Sequence, residues 1–252
     1  MKHWIGYEVS AGIAWISLNR PEKRNAVTAT MREALYEAWR DVKHNPAVGV
    51  AVITGAGPVF CSGEDLTDPD TRGESGITSD ELNRFQLTVH TPIIAAVNGP
   101  AYGQGARFVF ASDIVVMAEE AALVWPQVKV GLSSVSGPAS LVNRIPWAQA
   151  MGYLLRGAPI PAGECLRMGL ANEVVAPQAL RETAERWARE LMEGAPLALR
   201  GIKEAALRGE SLPLEARTQI ANDIFNRVHL TEDAREGVRA FKEKRRPVWK
   251  GR

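Results

Sequence analysis

The stretch that decides the fold is Ile93-Ile94-Ala95-Ala96-Val97, followed by Asn98-Gly99-Pro100-Ala101-Tyr102-Gly103-Gln104-Gly105. Its first five residues are apolar, which predicts a strand buried on both faces, and the Asn-Gly-Pro break ends that strand. The glycine-spaced end predicts exposed backbone at the start of a helix. Because glycine lets a ligand approach the main chain closely, and because the first N–H groups of a helix are free, we interpret this junction as a candidate site for an anionic oxygen.

A second junction of the same kind lies earlier in the chain. The apolar, β-branched run 48–54 predicts another buried strand, and Phe60-Cys61-Ser62-Gly63-Glu64-Asp65-Leu66 comes after it. Two such junctions can supply one amide each and so form an oxyanion hole, a pair of donors that stabilises a negatively charged oxygen. The alternative is that the glycines serve only the turns in which they stand.

The remaining elements predict an α/β fold with a helical C-terminal appendage. Residues 4–9 and 13–18 have the pattern of a β-hairpin, and Thr28 can cap a helix that runs to Asn45. Residues 177–244 predict four amphipathic helices. The order strand, strand, helix recurs along the first part of the chain, which is typical of α/β proteins.

The totals exclude several classes of function. The chain has 252 residues, and its 30 basic and 29 acidic side chains give a net charge of +1, so no overall field attracts nucleic acid or an anionic membrane. The N-terminal residues do not resemble a signal peptide, and no apolar stretch approaches the roughly 20 residues of a spanning helix. We expect a soluble cytoplasmic protein. Cys61 and Cys165 stand in no metal-ligand spacing, so we expect no metal site and no disulfide framework.

Three motifs in one order carry a resemblance to a known family. The motifs are Leu18-Asn19-Arg20-Pro21-Glu22-Lys23-Arg24-Asn25-Ala26, then Phe60-Cys61-Ser62-Gly63-Glu64-Asp65-Leu66, then Ile94-Ala95-Ala96-Val97-Asn98-Gly99-Pro100-Ala101. On these motifs the chain is similar to the crotonase superfamily, the enoyl-CoA hydratase/isomerase family, and the similarity extends over almost its whole length.

This resemblance implies a fold, an assembly and a ligand. The fold would be a crotonase-like spiral of ββα units over residues 1–195 that contains the acyl-CoA site, followed by a helical region, 196–252, that mediates trimer formation. The assembly would be a homotrimer or a dimer of trimers. The partner would be an acyl-CoA substrate, with coenzyme A as part of that substrate and no separate cofactor, nucleic acid or membrane.

The resemblance also assigns roles by position. The backbone amides of Glu64 and Gln104 would be the two oxyanion-hole donors. The other implied ligand contacts are Asp65, Leu66 and Thr67 beside the acyl-CoA, Arg24 and Ala26 in a loop that contacts CoA, and Phe241 and Lys244, which would reach the CoA of a neighbouring subunit.

The chain departs from the family at the two positions where hydratases carry glutamates. Arg107 and Gln127 stand there instead. An arginine is not a base near neutral pH and a glutamine has no proton to exchange, so we do not expect these two side chains to add water as the glutamate pair does. A third position, near Ser133-Ser134, also has no carboxylate.

Several residues keep two interpretations. Arg107 could bind a second carboxylate or an enolate, or it could pair with an acid such as Glu64 or Glu119 and close the pocket. Trp125 could form a wall of the acyl site or belong to the core. The remaining ionisable candidates for an acid or base are Glu64, Asp65, His90, Glu119 and Glu120. Each also has a structural explanation, and Asp65 for example can fix its loop.

Three functions remain open from the sequence. The first is an enzyme of the hydratase/isomerase type that uses the oxyanion hole and a nonstandard acid or base. The second is a catalytically silent acyl-CoA binding protein. The third is a crotonase-type decarboxylase or C–C hydrolase, in which enolate stabilisation is the main requirement and Arg107 would hold a substrate carboxylate.

Overall fold

The fold begins with the predicted hairpin. A computed structural model describes residues 4–68 and 76–252. Strands β1 (Ile5–Ser10) and β2 (Ile13–Leu18) pair antiparallel, and Ala11 and Gly12 connect them with φ values of 49° and 82°. Such left-handed conformations suit a tight hairpin turn.

Helix α1 (Ala29–His44) connects β2 to the parallel strand β3 (Val50–Gly55). Thr28 caps the helix as predicted, because its hydroxyl accepts a hydrogen bond from the Met31 amide at 3.2 Å. The strand starts two residues later than the apolar pattern indicates. The Val48 amide bonds to the Asn45 carbonyl, so Val48 still belongs to the turn after α1.

Three further strands complete the main sheet, in the order β1-β2-β3-β4-β6-β9. They are β4 (Ile93–Val97), β6 (Ile114–Ala118) and β9 (Glu173–Val175), and each pairs parallel with its neighbour. Every residue of β4 is buried, as its unbroken apolar run predicts. A small second sheet contains β5 (Ala101–Tyr102), β7 (Ala122–Val124) and β8 (Ile160–Pro161).

Helices surround the sheets and form the C-terminal region. The last four helices, which lie between Leu180 and Glu243, correspond to the four predicted helices of the tail, so the prediction of an α/β fold with a helical C-terminal region is confirmed. The division at residues 195 and 196 stays a prediction. The helices after α1 are α2 (Ser79–Gln86), α3 (Gln104–Phe110), α4 (Ser136–Leu141), α5 (Trp147–Leu154), α6 (Ala162–Arg167), α7 (Leu180–Met192), α8 (Pro196–Gly209), α9 (Leu214–His229) and α10 (Glu232–Glu243).

Within the described residues, no helix combines the length and the apolar character that a membrane span requires.

Candidate functional site

The two strand-to-loop junctions lie in direct contact. Cys61 and Ala101 form a parallel β-bridge, and the Tyr102 amide donates to the Cys61 carbonyl at 2.8 Å. Gly105 permits the close approach, because a Cβ at that position would lie 2.6 Å from the Cys61 Cβ. The fold therefore brings the segments after β3 and β4 together.

A glycine with positive φ precedes each candidate donor. Gly63 has φ 97° and Gly103 has φ 48°, conformations that disfavour any residue with a side chain. A Cβ on Gly63 would lie 3.9 Å from the Gln104 nitrogen, so the two turns face each other. Residues Glu64 and Gln104 follow these turns directly.

Glu64 and Gln104 both have free backbone N–H groups. Among the described residues, neither amide donates a hydrogen bond. The amides next to them are occupied, since Asp65 donates to the Val27 carbonyl and Gly103 donates to the Val124 carbonyl, both at 2.9 Å. Two unused donors on contacting turns meet one requirement of a site for an anionic oxygen.

The Glu64 side chain is directed towards α1 and α2. Its carboxylate accepts hydrogen bonds from the Ser79 hydroxyl and, at 3.2 Å, from Arg32, whose side chain is completely buried. Arg32 also donates to the Ile77 carbonyl at 2.8 Å. Desolvation raises the pKa of the Glu64 carboxyl, while the Ser79 bond and the Arg32 charge oppose that rise.

The Gln104 and Arg107 side chains also bond to α2. Gln104 exchanges two hydrogen bonds with Asn83, and Arg107 pairs with Asp80 at 3.1 Å. Arg107 thus pairs with an acid, as one of its two interpretations states, but that acid is Asp80 rather than Glu64 or Glu119. Helix α2 contacts α3 and offers Asp80 near its start, whereas Arg32 occupies Glu64 and the exposed Glu119 lies in the turn between β6 and β7.

Gln127 lies against the second junction. A Cβ on Gly103 would come within 2.9 Å of the Gln127 Nε2, which places this side-chain amide beside the turn that precedes Gln104. Its Oε1 is buried and has no hydrogen-bond partner among the described residues. A buried amide oxygen without a donor is costly, so this atom is available to a ligand or to water.

The loop after the first junction is fixed by Asp65. Its carboxylate accepts hydrogen bonds from the Thr67 amide and hydroxyl and from Arg20, the last at 2.6 Å. The bonds from Thr67 and Arg20 lower the pKa of Asp65 to about 2. The interpretation that Asp65 fixes its loop is confirmed. Leu66 is 76% exposed beside it. Contacts of Asp65, Leu66 and Thr67 with a ligand stay a prediction.

The loop that contains Arg24 and Ala26 runs alongside the first junction. The Arg24 carbonyl accepts a bond from the Ser62 amide at 2.9 Å, and the Ala26 carbonyl accepts one from Arg20 at 3.1 Å. Their role in CoA binding stays a prediction.

Asn25, which the sequence interpretation missed, anchors that loop. It is completely buried, has φ 55°, and its side-chain amide donates to the carbonyls of Ala56, Val59 and Phe60. The sequence does contain an indication of this role. An Asn within a segment of turn-forming residues is a candidate for the left-handed conformation, which Asn tolerates.

Trp125 belongs to the core and also borders a cavity. It is 2% exposed, its indole N–H donates to the Ser136 hydroxyl at 3.1 Å, and its ring lies 5.5 Å from that of Phe110. It also lines an apolar cavity of about 540 Å³ together with Ser133 and Ser134. Trp125 is thus a core residue with one face on a cavity, and its contact with an acyl group stays a prediction.

The remaining predicted residues lie outside this cluster. Phe241 is 86% exposed near the end of α10, and Lys244 follows that helix with φ 52°. His90 lies after α2, 3.8 Å from Glu204, and burial lowers its pKa. Glu120 is exposed beside Glu119.

Both cysteines are free and buried, and burial raises the pKa of each thiol to about 12. Neither thiol is a nucleophile near neutral pH. In the described parts of the chain, no three His, Cys, Asp or Glu side chains are grouped as metal ligands.

Comparison with known proteins assigns the family. The sequence pattern described as Enoyl-CoA hydratase/isomerase matches residues 8–252. The chain belongs to the enoyl-CoA hydratase/isomerase family. Among relatives of this family, it is 36% identical to (E)-benzylidenesuccinyl-CoA hydratase of Thauera aromatica, with 98% of this chain and 99% of the relative covered. It is 37% identical to carnitinyl-CoA dehydratase of Salmonella enteritidis PT4, with 94% of each chain covered.

Solved structures of the enoyl-CoA hydratase/isomerase family have the same fold. An enoyl-CoA hydratase from Mycobacterium marinum superposes with a TM-score of 0.93 at 31% identity, and the match covers 100% of each chain. An enoyl-CoA hydratase/isomerase from Mycobacterium paratuberculosis gives a TM-score of 0.89 at 34% identity, over 99% of each chain. The crotonase-like fold is therefore confirmed.

Proposed function

We propose that the protein binds an acyl-CoA thioester and stabilises its enolate with the backbone amides of Glu64 and Gln104. The observation that carries this proposal is the pair of free N–H groups on two contacting turns. Enolate formation places negative charge on the thioester oxygen, and one such donor contributes roughly 3 kcal/mol to transition-state stabilisation. The names of the relatives, a hydratase and a dehydratase of CoA esters, support the same substrate class.

The chemistry beyond the enolate differs from water addition by a glutamate pair. The Arg107 guanidinium pairs with Asp80 and is therefore not placed as a general base. Gln127 offers an unpartnered carbonyl oxygen, which can accept a hydrogen bond from a substrate hydroxyl or a water molecule and thereby orient it. We therefore infer that Gln127 orients the reacting group and that another group transfers the proton.

Deuterium exchange tests the proposal without knowledge of the natural acyl group. The protein is incubated in D₂O with a panel of acyl-CoA esters that carry a saturated α carbon, including saturated and β,γ-unsaturated esters. When the C–H bond at the α carbon breaks, its proton leaves to solvent and its electron pair moves onto the thioester oxygen. Return of a deuteron labels the α carbon, which mass spectrometry detects. We expect exchange that depends on the protein and saturates with the ester.

A catalytically silent acyl-CoA binding protein is the second candidate. It is favoured by one observation, the absence of a carboxylate at positions 107 and 127. A silent protein would bind esters of the same panel, measured by calorimetry, and would leave the α protons unexchanged. That outcome would replace the first proposal, whereas exchange above the rate in buffer would eliminate the second.

A further inference from the structure

Helix α2 bonds to three residues of the candidate site. The side chains that make these bonds are at the first, second and fifth positions of the helix, so they belong to its first two turns. The contacts are Ser79 with Glu64, Asp80 with Arg107, and Asn83 with Gln104.

The Asn83–Gln104 pair is the most buried of the three. The Asn83 Nδ2 donates to the Gln104 Oε1 at 3.2 Å, and the Gln104 Nε2 donates to the Asn83 Oδ1 at 3.1 Å. The residues are 1% and 8% exposed. Asn83 is itself held, because its Nδ2 also donates to the Ser79 carbonyl. Two reciprocal amide bonds fix the direction of the Gln104 side chain.

Without that pair, the Gln104 side chain would have other partners close to the site. Its amide needs both a donor and an acceptor once it is buried. The Gln127 amide lies beside Gly103 with an unpartnered oxygen, and the Gln104 amide donates no hydrogen bond among the described residues. A released side chain could therefore bond to these groups, next to the proposed position of the thioester oxygen.

We propose that Asn83 is a positioning residue, which holds the Gln104 side chain away from the oxyanion site so that the Gln104 amide stays free. This inference rests on the proposed function. In this proposal, Asn83 on α2 restrains the long side chain at position 104. Helix α2 is therefore part of the site, although it carries neither of the two proposed oxyanion donors.

The test uses acetoacetyl-CoA, a β-keto thioester whose enolate absorbs near-ultraviolet light. On enolisation, the ester loses an α proton to solvent and gains negative charge on oxygen. An oxyanion hole therefore raises the enolate fraction of the bound ester. Two quantities are measured for each variant, the dissociation constant by calorimetry and the enolate absorbance at saturation.

Asn83→Leu is compared with Gln86→Leu. Gln86 lies on the same helix, is fully buried, and has no hydrogen-bond partner for its side chain among the described residues. We expect Asn83→Leu to lower the ratio of bound enolate to neutral ester at least tenfold, and Gln86→Leu to leave that ratio unchanged. Equal effects of the two substitutions would overturn the proposal, because α2 would then act only as a structural element.

A double variant keeps the test valid if Asn83→Leu destabilises the fold. Gln104→Ala retains the backbone amide and removes the side chain that Asn83 restrains. In the Asn83→Leu/Gln104→Ala protein, we expect the enolate ratio to recover to at least half of the wild-type value. No recovery in a folded double variant, judged by circular dichroism, contradicts the positioning role.

The controls separate this inference from the proposed function. If wild-type protein binds acetoacetyl-CoA with no gain in enolate, the oxyanion site itself is refuted and the role of Asn83 with it. If wild-type protein shows the gain and Asn83→Leu shows the same gain, only the positioning role is refuted.

Discussion

At the scale of single residues, the candidate site depends on two side chains whose hydrogen bonds hold them outside it. Glu64 and Gln104 are large residues at positions where only their amides are proposed to act. Each side chain has a defined partner elsewhere, Arg32 for Glu64 and Asn83 for Gln104. A backbone donor tolerates such substitutions because its N–H does not depend on the side chain.

Asp65 gives the loop after the first junction a pH-dependent stability. The Asp65 pKa of about 2 in the folded protein lies below the value of about 3.9 in an unfolded chain. The charged form therefore stabilises the fold fully above that higher value, and this contribution is lost as the pH falls towards 2.

We expect Asp65→Asn to lower the free energy of unfolding at pH 7 by about 1.5–3 kcal/mol, the range for a hydrogen bond to a charged group. Urea unfolding at pH 7 and pH 3 measures this. The deficit of the variant should shrink at pH 3, and an equal deficit at both pH values would contradict the charged role of Asp65.

At the scale of secondary-structure elements, the site exists because two junctions touch. The close contact between α3 and the first junction depends on Gly105, which leaves no room for a methyl group beside Cys61. The glycine therefore has a packing role that is distinct from the positive φ of Gly63 and Gly103.

Gly105→Ala should force the junctions apart. We expect a loss of about 1–3 kcal/mol in the free energy of unfolding, as for overpacked cores, together with weaker acyl-CoA binding. Gly152→Ala is the matched control, because it also lies in a helix and its added methyl group meets nothing within 4 Å. Chemical denaturation of both proteins tests this, and equal stability of the two would show that the contact at Gly105 is relaxed without cost.

Many of the secondary-structure elements could be predicted from the sequence. The apolar runs indicated the buried strands, and Thr28 marked the start of α1. The contacts of α2 were not predictable, because which helix lies beside a junction depends on tertiary packing rather than on local pattern. Arg107 illustrates this. Its partner Asp80 stands 27 residues earlier in the chain, on α2, and the sequence pattern does not indicate that α2 packs beside α3.

At the scale of the whole molecule, the C-terminal region carries exposed apolar side chains. Leu214 is 78% exposed, Leu230 is 73% exposed and Phe241 is 86% exposed. Exposed apolar surface on one region is typical of a subunit interface. We therefore keep the prediction of a trimer or a dimer of trimers, which the family resemblance implies. Light scattering should then give three or six times the chain mass of 27.5 kDa. A monomer at micromolar concentration would contradict it.

Lys244 tests whether a neighbouring subunit contributes to CoA binding. We expect Lys244→Ala to weaken acyl-CoA binding about two- to fivefold, the effect of one exposed ion pair, without a change in assembly mass. Lys242→Ala is the control, because it removes another exposed lysine of the same segment. Calorimetry with one acyl-CoA ester compares the two, and equal affinities would argue against the contact.

The most direct test of the central claim is a crystal structure with an acyl-CoA thioester bound. We predict that the thioester oxygen lies within about 3 Å of both the Glu64 nitrogen and the Gln104 nitrogen, the normal length of such hydrogen bonds. A thioester oxygen that contacts neither nitrogen, or only one of them, would contradict the claim.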